Sequence, residues 1–246
     1  MSSGQKVIII SGGSRGLGQA LVADFLEAGH IVATFSRKAT PFIHECQEEY
    51  AEDKRFFWQA VDGTQFEQLK EFAFSVIREY GRVDVLINNA AIGVEGILTL
   101  MPESHIERGI ALNLESVIYL TRTCLKSMLQ QQDGCIINIS SIVGIRGYNG
   151  MSVYSATKAA LDGFSRSLAR EMGKAGIRVN SIAPGYFESD MSSGLAESQR
   201  ARIIRRTPLR RLGTIQDFVG VARFLISPDA SFITGQTIVV DGGITC

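Results

Sequence analysis

Tyr154 and Lys158 stand four residues apart at the start of a stretch with helical periodicity, so their side chains project from one helix face. A phenol with a pKa of about 10 is a poor acid-base catalyst near neutrality. An ammonium beside it favours the phenolate. A lowering of about three units needs about 4 kcal/mol, which a cation within a few ångströms supplies in a shielded site. Thirteen residues earlier, Ser141 follows the apolar run Ile136-Ile137-Asn138-Ile139-Ser140. A hydroxyl at the carboxyl end of a strand is placed to hold a carbonyl oxygen. Together the three groups suit proton delivery to a carbonyl; each alone also fits a surface lysine, a helix-start tyrosine or an ordinary turn serine.

A second constellation lies near the N-terminus. The apolar run Val7 to Ile10 leads into Ser11-Gly12-Gly13-Ser14-Arg15-Gly16-Leu17-Gly18, and Leu17, Leu21, Val22 and Phe25 then recur at helical spacing. That order is strand, glycine turn, helix. Glycines let the backbone turn tightly and approach a pyrophosphate, and the free N–H groups of the helix start favour its charge. The alternative is close packing of two elements. The spacing is GxxxGxG rather than the commoner GxGxxG. About 20 residues on, where proteins that bind NAD place an acid on the ribose, the chain has Phe35-Ser36-Arg37-Lys38. Two cations and no carboxylate, with Arg15 as a third cation, point to the 2′-phosphate of NADP(H); solvated loop charges are the alternative.

These groups need a scaffold that gathers the ends of several strands. Seven short apolar runs, Val7 to Ile10, Ile31 to Ala33, Phe56 to Trp58, Val83 to Ile87, Cys135 to Ile139, Ile177 to Ile182 and Thr237 to Val240, alternate with helical segments. Nearly continuous apolar runs suit a parallel sheet covered on both faces. The expectation is an α/β, doubly wound Rossmann-type fold with a seven-stranded parallel sheet, helices on both faces and one domain over residues 1–246. Val153, Ala156, Ala160, Phe164, Leu168 and Met172 mark the buried face expected for the helix that carries Tyr154. Residues 184–213 form the least regular stretch and are read as a substrate lid.

The 246 residues carry 25 Lys plus Arg against 25 Asp plus Glu, so no global field draws the chain to nucleic acid or anionic lipid. No run has the length of a membrane span or the flanks of a signal peptide, which leads to the expectation of a cytoplasmic protein. Four cysteines without CxxC spacing and three scattered histidines suggest neither disulfides nor a metal site. A small-molecule ligand is the expectation.

Taken together these motifs resemble those of the short-chain dehydrogenase/reductase family, from the first strand to the C-terminus. Ser11 to Gly18 resembles its TGxxxGxG loop with Ser for Thr, so Gly12, Ser14, Arg15, Gly16, Leu17 and Gly18 are the implied loop contacts. Asp62 resembles the adenine-contacting acid, and Asn88-Asn89-Ala90-Ala91 resembles the NNAG segment with Ala91 in place of Gly. Asn113, Ser141, Tyr154 and Lys158 resemble the catalytic tetrad, and Pro184-Gly185 the turn beside the nicotinamide. The resemblance implies hydride transfer from NADPH to a carbonyl carbon: Ser141 holds the oxygen, Tyr154 gives the proton, Lys158 binds the nicotinamide ribose, and Asn113 positions a water.

Within the family the segments Arg206 to Gly213 and Gly235 to Gly243 are similar to 3-oxoacyl-acyl-carrier-protein reductases, which implies a β-keto thioester carried by acyl carrier protein or CoA. Arg200, Arg202, Arg205, Arg206, Arg210 and Arg211 would meet such a carrier or form a solvated basic helix. Gln130-Gln131-Gln132-Asp133 stands where relatives that use carrier proteins are basic, so reduction of free small ketones or cyclic alcohols is the alternative, and a noncatalytic NADP(H) sensor a third. Ile92, Val94, Ile142, Val143, Tyr148, Tyr186 and Phe187 are the candidate substrate-side residues. The resemblance also implies a homo-oligomer, a tetramer, built through helices around Glu115 to Gln130 and Ser152 to Lys174.

Overall fold

Residue parity along the first strand decides which face each side chain covers, and the computed structural model, which describes residues 4–188 and 196–246, shows both faces covered. In β1 (Val7–Ser11), Val7 and Ile9 point to one side of the sheet and Ile8 and Ile10 to the other. Ile8 and Ile10 pack with α1 (Gly16–Glu27) and α9 (Ile215–Ile226) through Leu21, Phe25, Phe218 and Leu225. Val7 and Ile9 pack with α3 (Phe66–Tyr80) and α5 (Ser116–Gln131) through Phe72, Val76, Leu120 and Met128. This two-sided burial is why the strands read as continuous apolar runs.

Seven parallel strands form one sheet in the order β3-β2-β1-β4-β5-β6-β7, with β2 at Ile31–Ser36, β3 at Phe56–Ala60, β4 at Val85–Asn88, β5 at Gly134–Ile139, β6 at Ile177–Pro184 and β7 at Thr237–Val240. The order reverses beside β1, between β1 and β4, where the carboxyl ends of doubly wound strands leave a crevice for a ligand. The remaining helices are α2 (Pro41–Glu49), α4 (Glu103–Ile110), α6 (Ile142–Ile145), α7 (Ser152–Met172) and α8 (Glu197–Arg206). The fold is the expected Rossmann type.

Two expectations are corrected, and a third falls partly outside the described residues. The fourth strand starts at Val85, not Val83, because Asp84 uses its carboxylate to accept the Val7 N–H at 2.7 Å while its own N–H donates to the Val7 carbonyl. The apolar face expected for α7 is only part of the buried one: Val153 and Leu168 are buried, Ala160, Phe164 and Met172 are half-buried and Ala156 is exposed, while Tyr154, Thr157, Lys158, Leu161, Asp162, Ser165 and Ala169 are buried as well. Thr157, Lys158, Asp162 and Ser165 are polar, so hydrophobic periodicity could not find them. The expected lid divides: residues 189–195 lie outside the described residues, α8 is helical, and Phe187 bridges to Gly213 and packs edge-on against core Phe218 at 4.7 Å.

Among the described residues no helix is long and apolar enough to cross a membrane, and no group of three or more His, Cys, Asp or Glu is placed to hold a metal. Cys46, Cys124 and Cys135 are buried as free thiols, and Cys246 is exposed.

Candidate active site

The strand ends come first, since a parallel sheet brings Ser11, Ser36, Asn88, Ile139 and Pro184 to one edge. At the end of β1 the Ser11 hydroxyl accepts the N–H groups of Asn89 and Ala90, each at 2.9 Å, and the Asn89 amide donates back to the carbonyls of Ser11 at 3.0 Å and Gly12 at 3.3 Å. The glycine loop and the segment after β4 are thus one bonded unit. Gly18 belongs to it sterically, because a Cβ there would collide with the Gly12 carbonyl oxygen. Thr34 completes the loop, accepting the Gly13 N–H at 2.9 Å and donating to Ile10 at 2.6 Å. Ala91, the departure from glycine, is not among the residues with positive φ, so its Cβ costs no backbone strain.

Leu17 and Gly18 are buried, while Ser14 and Gly16 are partly exposed at the start of α1. No side chain caps this helix and no acid lies in its first turn. Gly16 has φ +57° and open space where a Cβ would stand. Unsatisfied N–H groups beside open space suit a phosphate. Arg15, Arg37 and Lys38 are all exposed near this edge, and the Ser36 hydroxyl, which accepts from the Trp58 indole at 3.0 Å, donates to the Lys38 carbonyl at 2.8 Å. Asp62 bonds Thr64 twice through Oδ1, and those bonds, first the Thr64 N–H, hold its carboxyl below the usual carboxylate range, with Arg37 and Arg108 adding to it. The donor set fits a dinucleotide with an extra phosphate.

The second half of the site hangs on α7. Lys158 is 2% exposed, and its Nζ donates to the Ile139 carbonyl at 2.7 Å. Two further bonds hold the same helix to the segment after β5: Ser140 Oγ to the Lys158 carbonyl at 3.2 Å and Ser155 Oγ to the Val143 carbonyl at 2.7 Å. Gly144 lets α6 approach, since a Cβ there would stand 2.8 Å from the Ala159 nitrogen. These tethers hold the segment that carries Ser141 against the helix that carries Tyr154. Ser141 Oγ accepts the Val143 N–H at 3.2 Å, which leaves its own hydrogen to be donated outward.

Tyr154 is 9% exposed and packs with Val94 and Val153, and Ile92, Met101, Val143 and Met151 lie against that cluster. The Lys158 ammonium stands 5.6 Å from its ring centroid. Burial pushes the Tyr154 phenol up to about 12, with the negative charge of Glu95 acting in the same direction, and burial holds Lys158 down at about 8 against the pull of Asp162. Among the protein's own groups, desolvation of the phenolate is thus the main influence on Tyr154. At neutral pH the pair stands as phenol and ammonium.

Asn113 lies in a π-helical turn, Ala111–Glu115, between α4 and α5 and is fully buried. Its side chain bonds both backbone groups of Ile92, with a longer contact of 3.5 Å to Thr157 Oγ1. Pro184 ends β6, and Gly185 donates to Val240 at 2.9 Å where a Cβ would stand 2.5 Å from Asp241 Cβ.

A set of buried polar pairings supports the site, and the pairings gave no sequence signal. Asn88 donates to Asn138 at 2.8 Å and Thr121 at 3.0 Å, Asn138 donates to Ser165 at 2.7 Å, and Ser165 pairs with Ser181 at 2.9 Å. This buried chain joins β4, β5, β6, α5 and α7 beneath the site. On the substrate side Tyr148 and Tyr186 meet edge-on at 6.2 Å, but Ile142 is 2% exposed core and Phe187 belongs to the packing on Phe218. Of the lid arginines, Arg200 pairs with Glu188, Arg211 grips Asp217 at 2.6 and 2.8 Å, and Arg210 bonds the Arg205 carbonyl at 2.7 Å. Arg202, Arg205 and Arg206 are exposed, and Arg206 lies within electrostatic reach of Tyr148 and Tyr186.

The family model described as enoyl-(acyl carrier protein) reductase matches residues 12–245. The 3-oxoacyl-[acyl-carrier-protein] reductase FabG of Salmonella typhimurium is 36% identical over 244 residues, 99% of each chain, and that of Escherichia coli is 36% identical over 242 residues, 97% of each. A blue fluorescent protein from a metagenomic library, solved in complex with NADPH, superposes with a TM-score of 0.91 at 32% identity over 98% of each chain. A putative short-chain alcohol dehydrogenase from Sinorhizobium meliloti does so with a TM-score of 0.91 at 30% identity, covering 98% of this chain and 96% of that one. With its parallel sheet, glycine loop and Tyr154/Lys158 pair, the chain belongs to the short-chain dehydrogenase/reductase family.

Proposed function

We propose that the chain reduces the keto group of a 3-oxoacyl thioester to a secondary alcohol with NADPH. The observation that supports this reading is that Ser141, whose hydroxyl accepts the Val143 N–H and keeps its hydrogen to donate, lies two residues from Val143 of the Tyr154 cluster, with Lys158 Nζ 5.6 Å from the Tyr154 ring centroid. NADPH supplies the hydride when bound. Gly12, Ser14, Arg15, Gly16, Leu17 and Gly18 would hold its pyrophosphate, Arg37 and Lys38 with Arg15 its 2′-phosphate, and Asp62 its adenine. Ala90, Ala91, Pro184 and Gly185 would shape the remainder of the cleft.

For the chemistry of this chain's own residues, Ser141 Oγ donates a hydrogen bond to the substrate carbonyl oxygen and polarises it. Tyr154 Oη delivers the proton to that oxygen as it becomes an alkoxide, and Lys158 favours the phenolate left behind. Lys158 also has hydrogens beyond the one given to Ile139 for a ribose. Asn113 fixes the segment after β4, with Oδ1 capacity left for a water.

The two acyl-carrier names disagree about the reacting bond, since the family description names an enoyl reductase and the relatives a 3-oxoacyl reductase. A hydroxyl with its hydrogen free to donate and a phenol on the adjoining helix suit an oxygen acceptor, hence the ketone. The apolar wall of Ile92, Val94, Val143 and Met151 suits an acyl chain, and exposed Arg202, Arg205 and Arg206 suit the phosphate of a carrier's pantetheine. We also propose a tetramer: Ile110, Ile118, Tyr119 and Leu129 are exposed along α4 and α5.

The test is NADPH oxidation with an acetoacetyl thioester, a crotonyl thioester and an unesterified diketone, with Tyr154→Phe as control. Selective loss of the acetoacetyl rate in the variant supports the reading. Turnover of the diketone alone favours a reductase of free ketones, and NADPH binding without turnover of any substrate favours the sensor.

A further inference from the structure

Asp162 lies one helical turn beyond Lys158 on α7, and the two side chains are 6% and 2% exposed. Positions four apart stand on the same helix face. Asp162 Oδ1 is enclosed without a hydrogen-bond partner among the described residues. A buried carboxylate in that condition is costly unless an opposite charge compensates it.

The surroundings narrow the choice of compensating charge. Asp162 lines a hollow of about 260 Å³ with Gly144, Ile145, Ala159, Arg166 and Thr237. From α6 come Gly144 and Ile145, neither charged, and from β7 comes the Thr237 hydroxyl, itself without a partner. Arg166 is exposed and leaves Oδ1 unbonded. On the other side, Lys158 meets the Ile139 carbonyl from β5 and the Tyr154 ring from α7, while Glu95, from the segment after β4, acts on Tyr154. Gly144 of α6 brings no side chain there, and a Cβ at that position would stand 2.9 Å from the Lys158 carbonyl carbon.

We propose that Asp162 is a positioning residue of the active site, the fixed buried counter-charge of the Lys158 ammonium. The inference rests on the reading of Lys158 as the ammonium beside the proton donor. Burial alone drives Lys158 towards the neutral amine, and Asp162 is the charged group that opposes it. The carboxylate touches neither substrate nor cofactor; it acts through the lysine.

The test is Asp162→Asn, nearly isosteric and neutral. Titration of 13C-labelled lysine side chains by NMR, with Lys158 assigned from Lys158→Met, should show its midpoint about one pH unit lower in the Asn variant. The alkaline limb of kcat/KM should move down with it, and Asp162→Glu should restore both. If Asn does not fold, Asp162→Ala, which leaves room for water in the hollow, is read in the same way. Unchanged midpoint and limb in a wild-type-active enzyme overturn the proposal and leave the site reading intact. Absence of turnover in the wild type overturns the site reading instead, and the NMR midpoint still decides the coupling.

Discussion

Asn113 grips the Ile92 peptide at both ends, its Oδ1 accepting the N–H and its Nδ2 donating to the carbonyl, each at 2.9 Å. The residue therefore joins the π turn to the segment that carries Asn89, Ala90 and Ala91. Asn113→Leu keeps the volume but leaves both groups unpaired. We expect a loss of about 2 kcal/mol and a fall in Tm of about 6 °C, measured by circular dichroism.

Reduction requires Tyr154 as phenol and Lys158 as ammonium. Burial keeps the phenol protonated up to about 12, so the first group lost on raising pH is the ammonium at about 8. The rate of ketone reduction should be flat from pH 6 and fall above about pH 8, by tenfold per unit once the limb is reached. A limb at acid pH instead would remove the assigned protonation states.

Charge reversal at the end of β2 should separate the two nicotinamide cofactors. Arg37→Glu is expected to raise KM for NADPH by about 10- to 100-fold, the scale of one or two charge-assisted hydrogen bonds, and to leave KM for NADH within about threefold. Steady-state kinetics with both cofactors measure this. Equal effects on the two would place the 2′-phosphate elsewhere.

Gly18 and Gly16 of the loop should fail differently. A Cβ at Gly18 runs into the Gly12 carbonyl and stands 2.6 Å from Asn89 Nδ2, so Gly18→Ala must pull the loop away from the segment after β4. NADPH binding, followed by fluorescence titration, should be lost. At Gly16 space is open and only φ +57° resists a side chain, so Gly16→Ala should cost about 1 kcal/mol and retain a weakened site.

What the sequence disclosed follows from which interactions are periodic or local. The seven strands were legible because both faces of the sheet are apolar, and the glycine loop because turn chemistry is written in consecutive residues. The face of α7 was legible only in its apolar part, Val153 and Leu168, since the buried set also holds the polar Thr157, Lys158, Asp162 and Ser165, which carry no apolar period. The burial that raises the Tyr154 phenol was not legible for a related reason: a cation four residues away is visible in sequence, whereas desolvation arises only from packing. The Asn88, Asn138, Ser165 and Ser181 chain was invisible because its members are 16 to 50 residues apart.

Lys158 reaches the sheet itself, through the Ile139 carbonyl, and not the loops around the cleft. The apparatus that moves the proton thus belongs to the load-carrying frame of the molecule, while the exposed turn Leu98–Leu100 and the helix α8, which buries none of its residues, lie outside that frame. Diversification of what the protein accepts can proceed by exchange of those outer stretches, each graft leaving the pH profile of the host frame unchanged. Inheritance of chemistry and inheritance of taste are, in this architecture, separate events.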